Sequence, residues 1–285
     1  MRNKTLVAQE AKIDVLVAVY NGGKFLGDFL ESLRLQTCSN FRILFSDDKS
    51  SDGSGKKFEK ICREKKLDFV NVSTAEGFGS SKKNFEHLLA CSTAQYVMLA
   101  DQDDYWEDFK IQKTYDYMKS MDGLNGGNLP CMVFTDLKVV DSNLNIIHES
   151  MIKAKRYDPG IAQQPKRLAC QNVIAGCTVF LNRAAVKQVI PFTEENVVHD
   201  HWIGLVVANR GRVGFLDEAT ILYRQHSGNQ IGVDGFDLRV LLKKMFKMYS
   251  HIGIYKRAAK NAGINVTFVE LAAIKVWLNL KRVFG

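Results

Sequence analysis

Three aspartates fall within four residues at Asp101-Gln102-Asp103-Asp104, directly after the apolar run Tyr96 to Ala100. Two carboxylates one residue apart can hold Mg²⁺ or Mn²⁺ through one or two oxygens and leave the remaining positions to water and phosphate. A divalent ion there would neutralise the charge that builds on a departing diphosphate. The alternative is an acidic surface loop with Asp104 as the N-cap of the following helix. The apolar run in front of the aspartates favours the metal site.

A second pair of carboxylates, Asp47-Asp48, follows the apolar run Phe41 to Phe45. A carboxylate there can accept the N3 proton of uracil or thymine and help to fix a ribose, which requires no metal. Helix capping is the competing explanation, but the nearby Asp52 already accounts for a cap. Two like charges side by side at a strand end cost free energy unless a ligand or a donor uses them. We therefore predict a nucleoside contact.

The segment His199-Asp200-His201-Trp202 places a carboxylate between two imidazoles and beside an indole, at the predicted start of a helix. Asp200 could act there as a general base toward a sugar hydroxyl, with Trp202 offering a face to the sugar ring. The histidines also resemble a metal pair, but positions i and i+2 point to different faces of a helix. We prefer the base to a zinc site. The structural alternative is an acidic residue that complements the helix dipole.

A fourth candidate is the loop Tyr223 to Asn229, which follows a short apolar run and ends in Ser-Gly-Asn. It is rich in groups that bind phosphate and metal ions. A lone histidine such as His226 is more often structural, and its interest here comes from the other candidates in the chain.

The elements that must position these residues alternate between strand and helix in the first half of the chain. This alternation predicts a parallel sheet with helices on both faces. Ligands of such sheets bind beyond the carboxyl ends of the strands. The polar clusters Tyr20-Asn21, Asp47-Asp48 and Asp101 to Asp104 all lie at such ends, so we expect them to line one cleft. The predicted strands are Ile13 to Val19, Phe41 to Phe45, Phe69 to Val72 and Tyr96 to Ala100.

The second half of the chain has weaker patterns. Between two of its predicted strands, Ser142 to Arg167 is polar and weakly periodic, and we predict a mobile excursion over the cleft that reads the acceptor. A helix is expected from Val197 to Asn209. The further predicted strands are Met132 to Leu137, Cys177 to Leu181, Arg212 to Phe215 and Thr220 to Tyr223.

Length and composition suit one large α/β domain with an appendage. The chain has 285 residues, 46% of them hydrophobic, which is enough for a large core. Its six cysteines are scattered without Cys-x-x-Cys spacing, which predicts reduced and mostly buried side chains. No run reaches the roughly 18 apolar residues of a membrane span, and no secretory signal opens the chain. We therefore expect a cytoplasmic protein.

The net charge of +8 is concentrated at the carboxyl end. Residues 239–285 contain ten Lys or Arg and one Glu, which leaves residues 1–238 with a net charge of −1. We exclude nucleic acid as a partner because this basic segment carries neither a stacking signature nor a recognition helix. Its cations alternate with apolar residues such as Met245 and Phe246. The pattern fits an amphipathic helix on an anionic membrane face and, equally, a solvated basic face on helices packed against the main domain.

Together the motifs resemble those of family 2 glycosyltransferases with the GT-A fold, over about residues 12–232. The closest subgroup is the bacterial rhamnosyltransferase-like enzymes of surface polysaccharide assembly. Lys49 stands where the family usually has Gly, and HDHW stands where it usually has Glu-Asp. The segments that carry the resemblance are VLVAVYNGGKFLGDFLESLRLQT, FRILFSDDKSSDGS, GFGSSKKNFEHLL, YVMLADQDDYW, HDHW and YRQHSGNQIG.

The resemblance implies an α/β fold, with a Rossmann-like, mostly parallel GT-A sheet flanked by helices over residues 1–232 and a basic helical extension over residues 233–285. It implies that Asp103 and His226 bind Mg²⁺ or Mn²⁺ and that Asp200 is the catalytic base. The residues that it implies for donor binding are Tyr20, Asn21, Asp48, Asn84, Asp101 and Gln102.

The implied function is inverting transfer of a sugar from dTDP-rhamnose or a UDP-hexose to a hydroxyl of a glycan or lipid-linked acceptor. The enzyme would be metal-dependent and cytoplasmic, with its extension able to contact the inner face of the membrane. The alternative is a non-catalytic protein of the same fold that binds a nucleotide-sugar or a polysaccharide. A glycoside hydrolase is disfavoured, because it needs two carboxylates that flank the bond and no nucleotide site.

Overall fold

The computed structural model describes residues 13–123, 127–226 and 248–284. Its strands are β1 (Ile13–Val19), β2 (Phe41–Asp47), β3 (Phe69–Asn71), β4 (Tyr96–Asp101), β5 (Tyr105–Trp106), β6 (Cys131–Val140), β7 (Ile146–His148), β8 (Phe180–Asn182) and β9 (Arg212–Arg224). They form one sheet in the order β3-β2-β1-β4-β8-β6-β9-β5, and β7 pairs with β6.

Helices cover both faces of this sheet. In the described ranges they are α1 (Leu26–Arg34), α2 (Ser54–Glu64), α3 (Ser81–Cys91), α4 (Lys110–Asp122), α5 (Met151–Lys155), α6 (Pro165–Cys170), α7 (Arg183–Val189), α8 (His199–Arg210), α9 (Met248–Asn261) and α10 (Phe268–Phe284). Two separate apolar clusters, one on each side of the central strands, form the core. Among the described helices, none is both long enough and apolar enough to cross a bilayer.

The first four strands run parallel, as predicted. β1 lies between β2 and β4, and β3 extends the sheet beyond β2. Near the carboxyl ends Ala18 is in register with both Ser46 and Asp101. The polar residues that follow β1, β2 and β4 therefore emerge at one level of the sheet, where the sequence predicted a cleft.

The other half of the sheet is mixed. β6 and β9 are parallel, but β8 enters antiparallel between β4 and β6, and β5 and β7 add antiparallel edges. The expected parallel character therefore holds for β1 to β4 and for the β6–β9 pair only. The two short strands predicted at residues 212–223 are one strand, β9, because register shifts on β6 near Asp136 absorb the irregular residues between them.

The prediction of an irregular excursion from Ser142 to Arg167 is wrong. The segment contains β7, α5, a 3-10 turn (Pro159–Gln163) and the start of α6. Asp136 fixes its first part, because its carboxylate accepts hydrogen bonds from the Ser150 hydroxyl and from the Ile152 amide. Ile152 and Ile161 are buried in the core, so the sparse apolar residues of this segment anchor it.

The two carboxyl-terminal helices pack on the main body. α9 and α10 contact α6 and each other, and their buried residues join the apolar cluster that contains α8. These buried residues include Ile252, Ala258, Ala259, Leu271 and Leu278. The predicted boundary at residues 232/233 and the basic residues 239–247 lie outside the described residues. All six cysteines are free thiols, and Cys62, Cys131, Cys170 and Cys177 are buried.

Candidate active site

The loops that follow β1 and β4 are joined by the side chain of Gln102. Its amide oxygen accepts the Tyr20 N–H at 3.1 Å, and its amide nitrogen donates to the Tyr20 carbonyl at 2.7 Å. A Cβ at Gly22 would lie 2.1 Å from Gln102 Cδ, so only glycine allows this close approach. Gln102, predicted to bind the donor, thus uses its amide to position the turn. The Tyr20 ring is 59% exposed beside it.

Asn21 ties the same turn to the loop after β2. It has a positive φ of 48°, a conformation that asparagine tolerates better than most residues. Its side-chain oxygen accepts the Ser51 N–H at 2.9 Å, and its own N–H donates to the Ser50 hydroxyl at 2.9 Å. The predicted donor-binding turn is therefore held on both sides before any ligand binds.

Asp48 organises the loop that leads into α3. Its carboxylate accepts N–H groups from three consecutive residues, Phe78, Gly79 and Ser80, the last two at 3.1 Å. Only 7% of Asp48 is exposed. These three donors stabilise the charge that made Asp47-Asp48 conspicuous in the sequence. A contact with a nucleoside base would have to use the acceptor capacity that remains.

Asn84 lies beneath the cleft surface. It is 1% exposed, and its amide nitrogen donates to the Ser46 carbonyl at 2.9 Å, which fastens α3 to β2. Its amide oxygen has no hydrogen-bond partner. The predicted contact of Asn84 with ribose or diphosphate would require α3 to shift, because the side chain does not reach the surface in this arrangement.

Asp101, Asp104 and Cys177 bring three potential ligand atoms within 4.8 Å of one another. Burial, together with the smaller effects of the charges of Asp103 and Asp200, raises the pKa of Asp101 to about 7. Burial, followed by the charges of Asp103 and Asp101, also raises the pKa of Asp104 well above its ordinary range. Burial raises the pKa of the Cys177 thiol, which makes it a poor ligand for a hard cation. The concentrated carboxylates are where a divalent ion would relieve repulsion.

Asp104 is not the N-cap of the following helix, the role that the alternative interpretation of the acidic loop gave it. Asp104 is fully buried and is followed by β5, and α4 begins only at Lys110. Asp104 instead accepts the Arg224 N–H at 3.2 Å. It therefore connects the acidic loop to the end of β9.

Asp103 and His226, the two predicted metal ligands, lie together. His226 Nε2 is 2.8 Å from Asp103 Oδ2, and the two side chains are 22% and 18% exposed. The imidazole also packs against the Phe25 ring, with 4.9 Å between the ring centroids. The rest of the predicted loop, residues 227–229, lies outside the described residues.

Arg224 is a positioning residue, a role that sequence reasoning missed when it placed the residue in a phosphate- and metal-binding loop. It is 2% exposed, and it donates to the Asp103 carbonyl at 3.0 Å, to the Ser142 carbonyl at 2.6 Å and to the Asp28 carboxylate at 2.9 Å. It thereby holds the acidic loop, α1 and the chain after β6 together. A guanidinium at the end of an apolar strand was the only available signal, because such a group must find acceptors within the fold.

Asp200 lies in the first turn of α8, near enough to the acidic loop for its charge to act on Asp101. It is 8% exposed, and one carboxylate oxygen accepts the Asn172 amide at 3.0 Å and the His201 N–H at 2.5 Å. Burial raises its pKa to about 6, although these hydrogen bonds oppose the shift. The charge of Asp200 contributes to the raised pKa of Asp101, so the two carboxylates are close enough to interact. Asn172, which orients Asp200, was not predicted.

The residues around Asp200 correct part of the prediction. Trp202 is 3% exposed and donates to the Val189 carbonyl at 2.8 Å, so it offers no face to a sugar ring. His199 stacks on Phe85, whereas His201 contacts the Leu168 carbonyl at 2.8 Å. Burial lowers the pKa of both imidazoles to about 4. The histidines point apart, as the i, i+2 spacing predicted.

At the level of sequence, the known proteins that this chain resembles are glycosyltransferases. The sequence profile of glycosyl transferase family 2 matches residues 14–178. The chain is 25% identical over 233 residues to the dTDP-rhamnosyl transferase RfbG of Shigella flexneri, covering 76% of this chain and 74% of that protein. It is 23% identical over 219 residues to the UDP-Glc:alpha-D-GlcNAc-diphosphoundecaprenol beta-1,3-glucosyltransferase WfaP of Escherichia coli, covering 76% and 78%.

Solved structures share the fold. The structure of S. aureus TarS 1-349 in complex with UDP-GlcNAc matches with a TM-score of 0.64 and 18% identity, over 96% of this chain and 72% of that one. The mannosyltransferase PcManGT from Pyrobaculum calidifontis in complex with GDP-Man and Mn²⁺ matches with a TM-score of 0.61 and 12% identity, over 97% and 74%. The GT-A fold expected from the sequence is confirmed.

Proposed function

The chain belongs to glycosyl transferase family 2, and we propose that it transfers a sugar from a nucleoside-diphosphate sugar to an acceptor hydroxyl during surface polysaccharide synthesis. One observation carries this proposal. Asp101 in the acidic loop after β4 and Asp200, which are 99 residues apart in sequence, lie close enough for the charge of Asp200 to add to the effect of burial and of Asp103 in raising the pKa of Asp101. A diphosphate leaving group and an acceptor hydroxyl need such groups on opposite sides of the transferred sugar.

Asp200 is the proposed catalytic base. With a pKa of about 6 it is mostly ionised at neutral pH, yet basic enough to take a proton efficiently. Asn172 fixes the orientation of its carboxylate. The deprotonated acceptor oxygen would attack the anomeric carbon from the face opposite the diphosphate. This single displacement inverts the anomeric configuration and needs only one carboxylate at the reacting carbon.

Asp103 and His226 are the proposed ligands of Mg²⁺ or Mn²⁺, with Asp101 contacting the donor. The arrangement of Asp101, Asp103 and Asp104 fits a divalent cation, because burial and, to a lesser extent, the neighbouring charges raise the pKa of Asp101 and of Asp104. When bound, the ion would stabilise the charge of the leaving diphosphate. Arg224 holds the backbone of Asp103, and the fold thereby positions the carboxylate before a donor arrives.

The nucleoside would lie over the turn after β1, where Tyr20 is exposed and Asn21 and Asp48 fix the neighbouring loops. The proposed donor is dTDP-rhamnose or a UDP-hexose, and the two relatives are named for one of each. The proposed acceptor is a glycan or a lipid-linked sugar, since one of these relatives is named for a diphosphoundecaprenol acceptor. Reaction would take place in the cytoplasm, with the protein peripheral on the inner face of the membrane.

A panel of UDP- and dTDP-sugars tests the proposal. We expect one or a few of them to raise the melting temperature in the presence of Mn²⁺, and the same donors to release nucleoside diphosphate when acceptor is present. Excess EDTA should abolish both effects. Binding without turnover for every donor and acceptor tried would favour the non-catalytic alternative, and turnover unaffected by EDTA would remove the metal role.

A further inference from the structure

A cavity of about 630 Å³ lies between the end of α5, the adjoining 3-10 turn and the carboxyl end of α10. None of the proposed donor-site residues lines it. Its wall combines three cations, one carboxylate and two aromatic rings, namely Arg156, Lys281, Arg282, Asp158, Tyr157 and Phe284. The lining therefore carries an excess of two positive charges beside apolar surface.

The cations of this cavity are arranged for an anion. Burial lowers the pKa of Arg282, and the nearby positive charge of Arg156 acts in the same direction. Arg282 already donates to the Lys155 carbonyl at 3.1 and 2.8 Å, and Arg156 donates to the Arg282 carbonyl at 3.3 Å. Each guanidinium has five N–H donors, and an anion bound beside both groups would offset their mutual repulsion and could accept from further donors, since the planar guanidinium matches phosphate oxygens. Lys281 contacts Asp158 at 2.7 Å, but this ion pair is solvent-exposed and weak, so it does not neutralise the site.

Gln171 gives an independent indication that the cavity binds a polar ligand. It lines the cavity and is 7% exposed, and neither polar atom of its side-chain amide has a hydrogen-bond partner. A buried amide without partners costs free energy. A ligand oxygen in the cavity would supply one of the missing partners after a small rotation of the side chain.

The cavity adjoins the segment that holds the proposed base. Gln171 precedes Asn172, whose amide contacts Asp200 at 3.0 Å. The backbone at Gln171 is extended, with φ −150° and ψ 107°, so the two side chains leave the chain in opposite directions. One short segment thus faces the cavity on one side and the proposed base on the other.

An exposed apolar row runs along α10 to the rim of the cavity. Trp277, Leu280 and Phe284 are 42%, 47% and 83% exposed, and their i, i+3, i+7 spacing places them on one helix face. Phe284 also lines the cavity. An apolar chain attached to an anion in the cavity could therefore extend out of the cavity and pack against this row.

We propose that the cavity is an acceptor subsite that binds the diphosphate of a prenyl-diphosphate-linked sugar, with the prenyl chain on the row Trp277, Leu280 and Phe284. The inference rests on the proposed function, which it deepens by naming where the lipid-linked acceptor is held. Arg156 and Lys281 bind the diphosphate, and the linked sugar passes around the segment 171–172, from its Gln171 side to its Asn172 side, to reach Asp200.

Calorimetric titration with farnesyl diphosphate tests this assignment. EDTA is present so that the donor metal site does not compete for the probe. The double variant R156Q/K281Q should bind the probe at least tenfold more weakly than the wild type. The matched control K256Q/K260Q removes the same charge from exposed positions of α9, and its affinity should stay within twofold of the wild type. Inorganic pyrophosphate and farnesol should each bind more weakly than the combined probe.

Equal losses in the two double variants, or no loss in either, would overturn the assignment. So would pyrophosphate binding as tight as that of farnesyl diphosphate, because it would indicate a free-phosphate site. Loss of binding to phosphatidylglycerol vesicles without any effect on farnesyl diphosphate would indicate a membrane headgroup site and would also overturn it.

Two further measurements separate loss of the cavity site from misfolding and from failure of the proposed function. Gln171→Leu removes only an unpartnered amide, so its melting temperature should equal or exceed that of the wild type while its affinity for the probe falls severalfold. Stabilisation by nucleotide-sugar with Mn²⁺ should be unchanged in all these variants. If no nucleotide-sugar bound to the wild type but farnesyl diphosphate still did, the proposed function would fail and the cavity would remain a prenyl diphosphate site.

Discussion

At the scale of residues, the site is built from buried carboxylates whose charge the fold makes costly. Asp200 has a pKa raised to about 6, and that of Asp101 is raised to about 7. Both would be lowered by binding partners that are positively charged or that donate hydrogen bonds. The apoprotein therefore carries electrostatic strain that a metal-bound donor and an acceptor hydroxyl would relieve.

Asp200 should make the apoprotein less stable as the pH rises. Its folded pKa of about 6 lies above its ordinary value of 3.8, so the folded state holds the proton more tightly than the unfolded state does. The associated stability is present at low pH and is lost as the pH rises through about 6, by up to about 3 kcal/mol. The unfolding free energy of Asp200→Asn, relative to that of the wild type, should therefore increase between pH 4 and pH 8. Urea titrations in EDTA measure this difference, and parallel pH profiles for the two proteins would contradict it.

Asp103 should contribute to donor binding mainly by binding the metal ion. Asp103→Asn is expected to weaken Mn²⁺ binding in the presence of UDP or dTDP by about 10- to 100-fold, because a charged oxygen ligand is lost. Electron paramagnetic resonance of free Mn²⁺ gives the affinity. Asp108→Asn, on an exposed residue of the same segment, is the matched control. Equal affinities for the two variants would place the ion elsewhere, for example between Asp101 and Asp104.

Sequence reasoning found the residues that carry charge more readily than those that orient them. Asp103 and His226 were predicted as a pair and lie 2.8 Å apart. Asn172 and Arg224 were missed, because their roles come from contacts with residues 28 and 121 positions away. Trp202 was misassigned, since nothing in HDHW reveals that its indole faces α7. Those contacts depend on tertiary packing, which local spacing does not encode.

At the scale of elements, two loops at the ends of β1 and β4 are locked together before ligand binds. Gln102 bridges them through two hydrogen bonds, and Gly22 leaves the space for its side chain. The apolar runs of β1 and β4 predicted that these loops would be neighbours. They could not predict the bridge, because a glutamine between two aspartates carries no pattern.

Gly22→Ala should disturb the donor site by displacing Gln102. We expect the KM for the donor to rise at least tenfold, with a smaller effect on kcat. Gln102→Ala removes the clashing side chain, so the double variant should recover part of the loss and show a favourable coupling in a double-mutant cycle. Gly27→Ala is a suitable control, because an added Cβ there meets nothing within 4 Å. Additive effects of the two substitutions would show that the bridge does not set the turn.

At the scale of the whole molecule, α9 and α10 complete the core. The basic composition of the carboxyl end was visible in the sequence, and so was its helical character. The packing of these helices on α6 and α8 favours, for residues 248–284, the expected arrangement of a basic face on packed helices. The exposed row on α10 is also compatible with a membrane contact. The order of β5 to β9 was the least predictable part of the fold, since antiparallel insertion of β8 depends on contacts distant in sequence.

Deletion of residues 248–285 should destabilise the protein and should not yield a functional catalytic domain. It would uncover the apolar surfaces of α6 and α8 that α9 and α10 now cover. We expect aggregation, or a melting temperature lower by about 10 °C or more. A fall of this size follows from the loss of several buried apolar side chains. Differential scanning calorimetry gives the comparison. A truncated protein that melts like the full chain would show that the helices add nothing to the core.

The most direct test of the account is the rate of sugar transfer by Asp200→Asn. Transfer from the accepted nucleotide-sugar should fall at least 1,000-fold, about 4 kcal/mol in activation free energy, while the affinity for donor and Mn²⁺ stays within threefold of the wild type. The wild-type kcat/KM should also decline below pH 6, because protonated Asp200 cannot accept a proton. A variant that transfers sugar at a near wild-type rate would contradict the assignment of Asp200 as the base.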